Sequence, residues 1–285
     1  MTLISCETIQ NICDIFLLSN KKLCILGDKK KIVMLDSINE PYDNPKIVFC
    51  FTDIFEHEFI HLLIKLVLFK NEFILVINQS DYKFDSRYIK IFDYIPKLKL
   101  IYTQNIDIIH NKIIPIPIGL SNSDTPFKYA GDFKLINSII EKVTNNIIIK
   151  DKLIYFYFNI ETSYFKRIEC YNKIIKKEIP FLERINFPQY YNQLASYKFA
   201  ISPEGNGIDC HRFWEALYVK TIPICLPNII VNYYAKYFPV VILNDWDELD
   251  ISKLDDIYNN ADWSNYYKLD IKYIKNMIKN GLNTL

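Results

Sequence analysis

Arg212 and Glu215 stand three residues apart behind the glycine loop Gly205-Asn206-Gly207, and that grouping sets the chemistry to look for. A guanidinium forks onto phosphate oxygens, a carboxylate accepts from a pair of sugar hydroxyls, and at i, i+3 on a helix the two side chains share one face. One helix could therefore grip both halves of a nucleotide. The N-terminus of that helix adds free backbone N–H groups and the positive end of a dipole, which favour an anion such as a diphosphate. Asp209 is a natural N-cap, the two glycines suit the positive φ angles that other residues resist, and His211 in the first turn can hydrogen-bond the same ligand. An ordinary strand-to-helix turn with a surface Arg–Glu pair would explain the same residues without a ligand.

A second anion cradle is spelled by Asn159-Ile160-Glu161-Thr162-Ser163 and Arg167. Thr162 or Ser163 can cap the next helix while Arg167 adds a fixed positive charge, although a capped surface helix with a solvent-facing arginine has the same sequence. Asp81, in Asn78-Gln79-Ser80-Asp81, follows the apolar run Phe73 to Ile77, at the carboxyl end where doubly wound sheets meet their ligands. It could equally be a turn or an N-cap for a helix beginning near Ser86. His57-Glu58-Phe59-Ile60-His61 matches the zinc-protease pattern, with two histidines one helical turn apart and Glu58 to activate water. A third ligand is needed, and neither His110 nor Glu72 lies in a recognised continuation. The alternative is an amphipathic helix that packs Phe55, Phe59, Leu62, Leu63 and Leu66 inward.

The elements that must carry these residues alternate along the chain. Lys22 to Leu26, Lys31 to Leu35, Lys46 to Phe51, Phe73 to Ile77, Leu98 to Tyr102 and Lys112 to Ile118 read as strands, with helical spacing over Asp53 to Lys70 and Ser86 to Ile95. Pro115 and Pro117 put the last of these strands on a sheet edge or in a crossing segment. A second series follows: strand Asp151 to Phe158, helix Ser163 to Lys177, strand Phe181 to Ile185, helix Tyr190 to Tyr197, the motif strand from Phe199, then strands Ile222 to Leu226 and Pro239 to Leu243. Polar turn formers cluster at Ser121 to Pro126 and at Thr144-Asn145-Asn146, between two α/β halves. The expected organisation is 1–130, 131–262 and a terminal helical segment, 263–285, with the helix over Trp263 to Asn280.

Composition narrows the partners. A formal net charge of +1 and the lack of a basic run argue against nucleic acid and against a polybasic membrane arm, so binding must be local. The seven cysteines are odd in number and scattered, which suits reduced thiols in a cytoplasmic setting better than a disulfide framework. The start of the chain has acidic Glu7 and Asp14 and no basic region before an apolar core, unlike a secretory signal, and no apolar run is long enough for a membrane span. Abundant Ile, Asn, Lys and Tyr beside only six glycines reflect an AT-rich coding sequence.

Pro203-x-Gly205, Arg212-x-x-Glu215-Ala216 and Thr221-Ile222-Pro223-Ile224 together resemble the C-terminal signature of exostosin-like glycosyltransferases. Ser80-Asp81, Gln104-Asn105 and Pro117-Ile118-Gly119-Leu120-x-Asn122-Ser123 resemble the first half of such proteins from bacteria and large viruses, so the likeness spans roughly residues 72 to 228. Two positions depart from it: Cys210 stands where serine is usual, and Lys220 where glycine closes the helix. The second requires either a different helix end or a left-handed lysine, at a cost on the order of 1 kcal/mol. The resemblance implies two Rossmann-like halves facing a cleft, the GT-B arrangement, and a transferase that moves a sugar from a nucleotide-sugar co-substrate to a glycan or other hydroxyl acceptor. It implies inversion without a metal or other cofactor. On this pattern Asn159, Thr162, Arg167, Ser202, Glu204, Gly205, Asn206, Gly207, Asp209, His211, Arg212 and Glu215 bind the donor; an inverting reaction then needs a base from the first half, and Asp81, at the end of a first-half strand, is placed to serve as the catalytic base. A catalytically silent sugar-nucleotide or glycan-binding protein shares the same expectation for the fold.

Overall fold

Short apolar runs bounded by turn formers become parallel strands in the computed structural model, which describes residues 1–19, 32–35, 45–122 and 132–282. The expected strand at 22–26 and the turn formers at 123–126 lie outside the described residues. The fold is mixed α/β, with one six-stranded and one four-stranded sheet, each parallel throughout.

The first sheet follows helix α1 (Cys6–Gln10) and is built from β1 (Ile15–Leu18), β2 (Ile32–Met34), β3 (Ile47–Phe51), β4 (Phe73–Asn78), β5 (Leu98–Thr103) and β6 (Ile113–Pro115). Its order is β2-β1-β3-β4-β5-β6. The chain direction across the sheet thus reverses between β1 and β3, the type of point at which doubly wound sheets open a crevice. Every residue of β3 and β4 is buried, as expected of central strands covered on both faces. The proline-bearing β6 is the edge strand, where missing donors do least harm.

The helix expected from Asp53 to Lys70 is two helices, α2 (Thr52–His57) and α3 (Phe59–Val67). Glu58 leaves the helical region (φ −137°, ψ 28°), and its carboxylate is held by the Ser19 hydroxyl. Ser86 to Ile95 likewise forms only a 3₁₀ turn at Ser86–Tyr88 and the short α4 (Ile91–Tyr94).

The second sheet follows α5 (Phe133–Thr144) and contains β7 (Lys152–Tyr155), β8 (Tyr197–Ile201), β9 (Ile222–Cys225) and β10 (Val241–Ile242), in the order β10-β9-β8-β7. Its crossovers carry α6 (Tyr164–Ile175), α7 (Phe187–Ala195), α8 (His211–Tyr218) and α9 (Ile229–Tyr234). No strand forms at Phe181 to Ile185. Instead the Phe181 ring packs against Phe156, Phe158 and Tyr171, and the Leu182 N–H donates to the Phe156 carbonyl at 2.8 Å. One polar residue pins the amino ends of β7, β8 and β9: Lys150 Nζ donates to the carbonyls of Ala195 (3.0 Å) and Tyr197 (2.9 Å) and to Thr221 Oγ1 (2.8 Å). Burial, reinforced by nearby Lys220, pushes the Lys150 amine down to about 7.

After α10 (Leu254–Asn259) the expected terminal helix is interrupted. A 3₁₀ turn at Tyr266–Leu269 gives way to α11 (Ile271–Gly281), whose cap Asp270 accepts from the Lys272 N–H (2.9 Å) and the Thr2 N–H (3.1 Å). Contacts divide the chain into a unit of Gly119–Leu269 and a unit of Thr2–Ile118 with Asp270–Leu285. This differs from the expected boundaries at 130 and 262: the division falls at Ile118/Gly119, and α11 belongs with the first sheet. The reason is close packing. Tyr102 Oη on β5 donates to the Met277 carbonyl at 3.1 Å, and a Cβ on Gly281 would meet that same oxygen at 2.5 Å and Leu100 Cδ1 at 2.8 Å. No helix among the described residues is long and apolar enough to cross a membrane.

Candidate functional site

The motif stretch lies at the carboxyl end of the second sheet, as its sequence anticipates, but its local geometry differs in three ways. Helix α8 begins at His211, with Cys210 in the cap position and no side-chain cap bond. Asp209 is therefore not the N-cap: its carboxylate is buried and accepts from the Trp214 indole N–H at 2.7 Å. Nor do Gly205 and Gly207 take positive φ; among the described glycines only Gly119 does. Gly205 is buried, and a Cβ there would lie at ordinary contact, 3.6 Å from Arg167 Nη2 and 3.7 Å from Cys210 Sγ.

The other end of α8 resolves the departure at Lys220. Lys220 is left-handed (φ 53°). The Thr221 N–H reaches the Ala216 carbonyl (2.9 Å) and the Lys220 N–H reaches that of Leu217 (3.0 Å). These are the two bonds of a Schellman end, here made by a lysine in the glycine position.

The two arginines play different parts. Arg167 is only 4 % exposed; its Nε donates to the Glu204 carbonyl (2.9 Å) and its Nη1 to that of Asn159 (2.8 Å), with Nη2 3.7 Å from Cys210 Sγ. It ties the loop after β7 to the loop after β8. Burial lowers its pKa, with Cys210 opposing and Arg212 reinforcing the shift. Ser163 takes the cap position of α6 in a left-handed conformation (φ 58°) without a side-chain cap bond, and the Glu161 N–H donates to Asn159 Oδ1 (3.3 Å) beside half-buried Thr162.

Arg212 presents buried Nε and Nη1 atoms with no hydrogen-bond partner. Its guanidinium carbon lies 6.0 Å from the centre of the Tyr190 ring. Burial works against its charge, and the neighbouring Tyr190, Cys210 and Glu215 outweigh that, so its pKa is raised. Glu215 is 9 % exposed and accepts from Tyr190 Oη through Oε2 at 2.6 Å. The Tyr155 hydroxyl is also buried without a partner. Burial raises the pKa of Tyr190 and Tyr155 well above that of an ordinary phenol, so both stay protonated. Tyr155 and Tyr190 were not singled out from the sequence, because an aromatic residue at helical or strand spacing looks like core.

Beside the loop is a cavity of about 230 Å³ whose walls include Ser202, Glu204, Phe213, Asn228, Val231 and Trp246. Of the other expected donor residues Asp209 also lines it; His211, Arg212 and Glu215 do not. Ser202 Oγ is buried beside the Cys225 thiol and makes no conventional hydrogen bond. Glu204 is held by Lys166 Nζ and by Asn228 Nδ2 (2.8 Å), Asn206 is exposed, and His211 Nδ1 bonds the Gly119 carbonyl at 2.7 Å.

In the other unit, Asp81 is exposed on the loop after β4 and makes no ion pair among the described residues. The preceding Ser80 carbonyl accepts from Gln104 Nε2 (2.7 Å) and Asn105 Nδ2 (2.6 Å). Other carboxylates of this unit that could replace it as base are engaged: Asp85 with Arg87, and Asp107 with Lys83 at 2.8 Å. Asp124 lies outside the described residues. The break at Glu58 separates His57 from His61, so the two do not share one continuous helical face; the His57 ring stands 5.5 Å from that of Tyr82. The zinc-protease expectation loses its geometric basis there. Models of known protein families yield no match to this chain, and curated proteins yield no similar sequence.

Proposed function

We propose that the chain is a glycosyltransferase of the exostosin-like kind, with the nucleotide-sugar donor held by the Gly119–Leu269 unit. The observation that carries this reading is Arg212: a half-buried cation whose buried Nε–H and Nη1–H groups have no acceptor, on the first turn of a helix lacking a side-chain cap, one turn from Glu215. A buried polar group left unpaired costs about 1–3 kcal/mol, and more when charged, so such a group calls for an explanation. A diphosphate supplies acceptors and counter-charge together, and Glu215 stands where ribose hydroxyls can donate to it. Arg167 acts by holding the loops that frame this site, in place of the direct phosphate contact expected from the sequence.

In this scheme the GT-B arrangement places the acceptor on the first unit. The acceptor oxygen bonds to the anomeric carbon, the bond from that carbon to the diphosphate breaks with inversion, and Asp81 takes the hydroxyl proton. The leaving diphosphate is stabilised by the α8 N-terminus and Arg212, without a metal ion. The setting is cytoplasmic.

The test is a thermal-shift screen with UDP, GDP, CDP and their sugars, since a ligand at a hundred times its Kd adds about 2.7 kcal/mol of stability. At least one nucleotide should raise the Tm, and Arg212→Ala should weaken that binding by about 1.5–3 kcal/mol through loss of a charge-assisted bond. A flat response across all nucleotides sinks the proposal. A nucleotide response without transfer or hydrolysis identifies a silent binding protein.

A further inference from the structure

Three neutral side chains at the carboxyl end of the first sheet have buried polar atoms without hydrogen-bond partners: Thr52 Oγ1, Asn78 Nδ2 and Gln104 Oε1. The residues are 1 %, 0 % and 0 % exposed, and all three belong to the Thr2–Ile118 unit. Asn78 and Gln104 are neighbours across the sheet, and Thr52 is the first residue past the end of β3. Phe51 on β3 is paired with Asn78, Ile77 on β4 with Thr103, and the Gln104 N–H points to the Ile77 carbonyl at 3.4 Å, so the ends of β3, β4 and β5 align in one row.

The polarity of this row is set by the bonds the amides already make. Asn78 Oδ1 accepts from the Gln79 N–H (2.6 Å), which leaves Nδ2 as the unpaired donor. Gln104 Nε2 donates to the Ser80 carbonyl (2.7 Å), which leaves Oε1 as the unpaired acceptor. A donor and an acceptor on neighbouring strand ends match a group that both accepts and donates. A hydroxyl does so; a phosphate or carboxylate offers nothing to Gln104 Oε1, and an ammonium offers nothing to Asn78 Nδ2. The loop above them is partly open, with Gln79 and Ser80 half-buried and Asp81 exposed. Its Gln79 is left-handed (φ 69°), as is Asn105 (φ 50°), which follows β5 and holds the Ser80 carbonyl.

We propose that this sheet end binds a hydroxyl group of a neutral polyhydroxylated ligand, a sugar or polyol, between Asn78 Nδ2 and Gln104 Oε1, with Thr52 as third contact. The assignment does not rest on nucleotide binding; under the transferase reading it makes that ligand the acceptor and sets its hydroxyl beside the loop of Asp81.

The test is saturation-transfer NMR with glucose, galactose, mannose and N-acetylglucosamine on the full chain, beside melting curves. At least one sugar should receive saturation from the wild type. Thr52→Val and Gln104→Met, the latter keeping the Asn105 bond to Ser80, should each weaken that sugar roughly threefold to tenfold, the range for one neutral hydrogen bond. Thr52→Val without sugar should melt at or above the wild-type temperature, because it removes a buried unpaired hydroxyl. No transfer to any of the sugars overturns the proposal. So does a Thr52→Val protein that melts lower and binds sugar unchanged, which would mark an internal water as the partner. If Gln104→Met fails to fold, Thr52→Val decides alone. Arg212→Ala should leave sugar binding intact; sugar binding in a wild type blind to every nucleotide upholds this inference and removes the donor reading.

Discussion

The carboxyl ends of the two sheets are built from opposite chemistries. The second sheet gathers residues of charged type: Arg167, Arg212 near Glu215, and Asp209 and Glu204 on the loop after β8. The first gathers Thr52, Asn78, Gln104 and Asn105, all uncharged and all buried. Buried charge is stable only beside compensating charge or many hydrogen bonds, so a site of that kind suits an ionic ligand. Neutral amides tolerate burial better and discriminate by the direction of their hydrogen bonds, which suits hydroxyls. Two parallel sheets thus end in two different kinds of polar surface, and the difference lies in the residues that end the strands.

The largest effect that can test this contrast is on chemistry. Asp81→Asn should slow transfer about a hundred- to ten-thousand-fold, the usual contribution of a general base, while nucleotide binding stays near wild type. Full activity would move the base elsewhere, and with Asp85 and Asp107 paired to cations, Asp124 would be next. Parallel loss of nucleotide binding would erase the division of labour between the sheets.

A structural test of the first unit comes next. Gly281→Ala should destabilise by about 1–3 kcal/mol, the usual range for overpacking, because its Cβ would collide with the buried Tyr102 hydroxyl and with Leu100. Denaturant unfolding reads this, and an unchanged midpoint would mean that α11 does not dock so closely on the first sheet. The smallest effect concerns the second. Lys220→Gly relieves a left-handed lysine at the end of α8 and should stabilise by about 1 kcal/mol, less whatever the Lys220 contact with the Tyr266 ring contributes. Nucleotide affinity should not move; a change would tie the far end of α8 to the site at its start.

Much of this architecture can be read from residue order. The runs at Lys46 to Phe51, Phe73 to Ile77, Leu98 to Tyr102 and Ile222 to Leu226 are strands close to where their apolar, β-branched content puts them, and β6 sits at an edge as its prolines require. The sequence left two alternatives at Lys220, a different helix end or a left-handed lysine, and the second is what forms. Where prediction failed, a side-chain contact that local propensity does not count had intervened. Ser19 holds Glu58 at the break between α2 and α3, Trp214 takes Asp209 from the cap position, and aromatic partners draw Phe181 out of a strand.

What the sequence determined by itself was therefore local: strand and helix periods, turn positions, and the residue types assembled at the Pro203–Glu215 loop. Which of those residues remain free was decided by tertiary structure. Arg167 and Arg212 are equivalent as residue types, yet one is anchored to two carbonyls and the other is left with unpaired N–H groups. Asn78 and Gln104 lie in segments the sequence already marks, yet their unpaired atoms emerge only when strands distant in sequence lie side by side. Hydrogen-bond satisfaction depends on every neighbour in space, whereas propensity depends on neighbours in the chain, and a binding site is defined by the first.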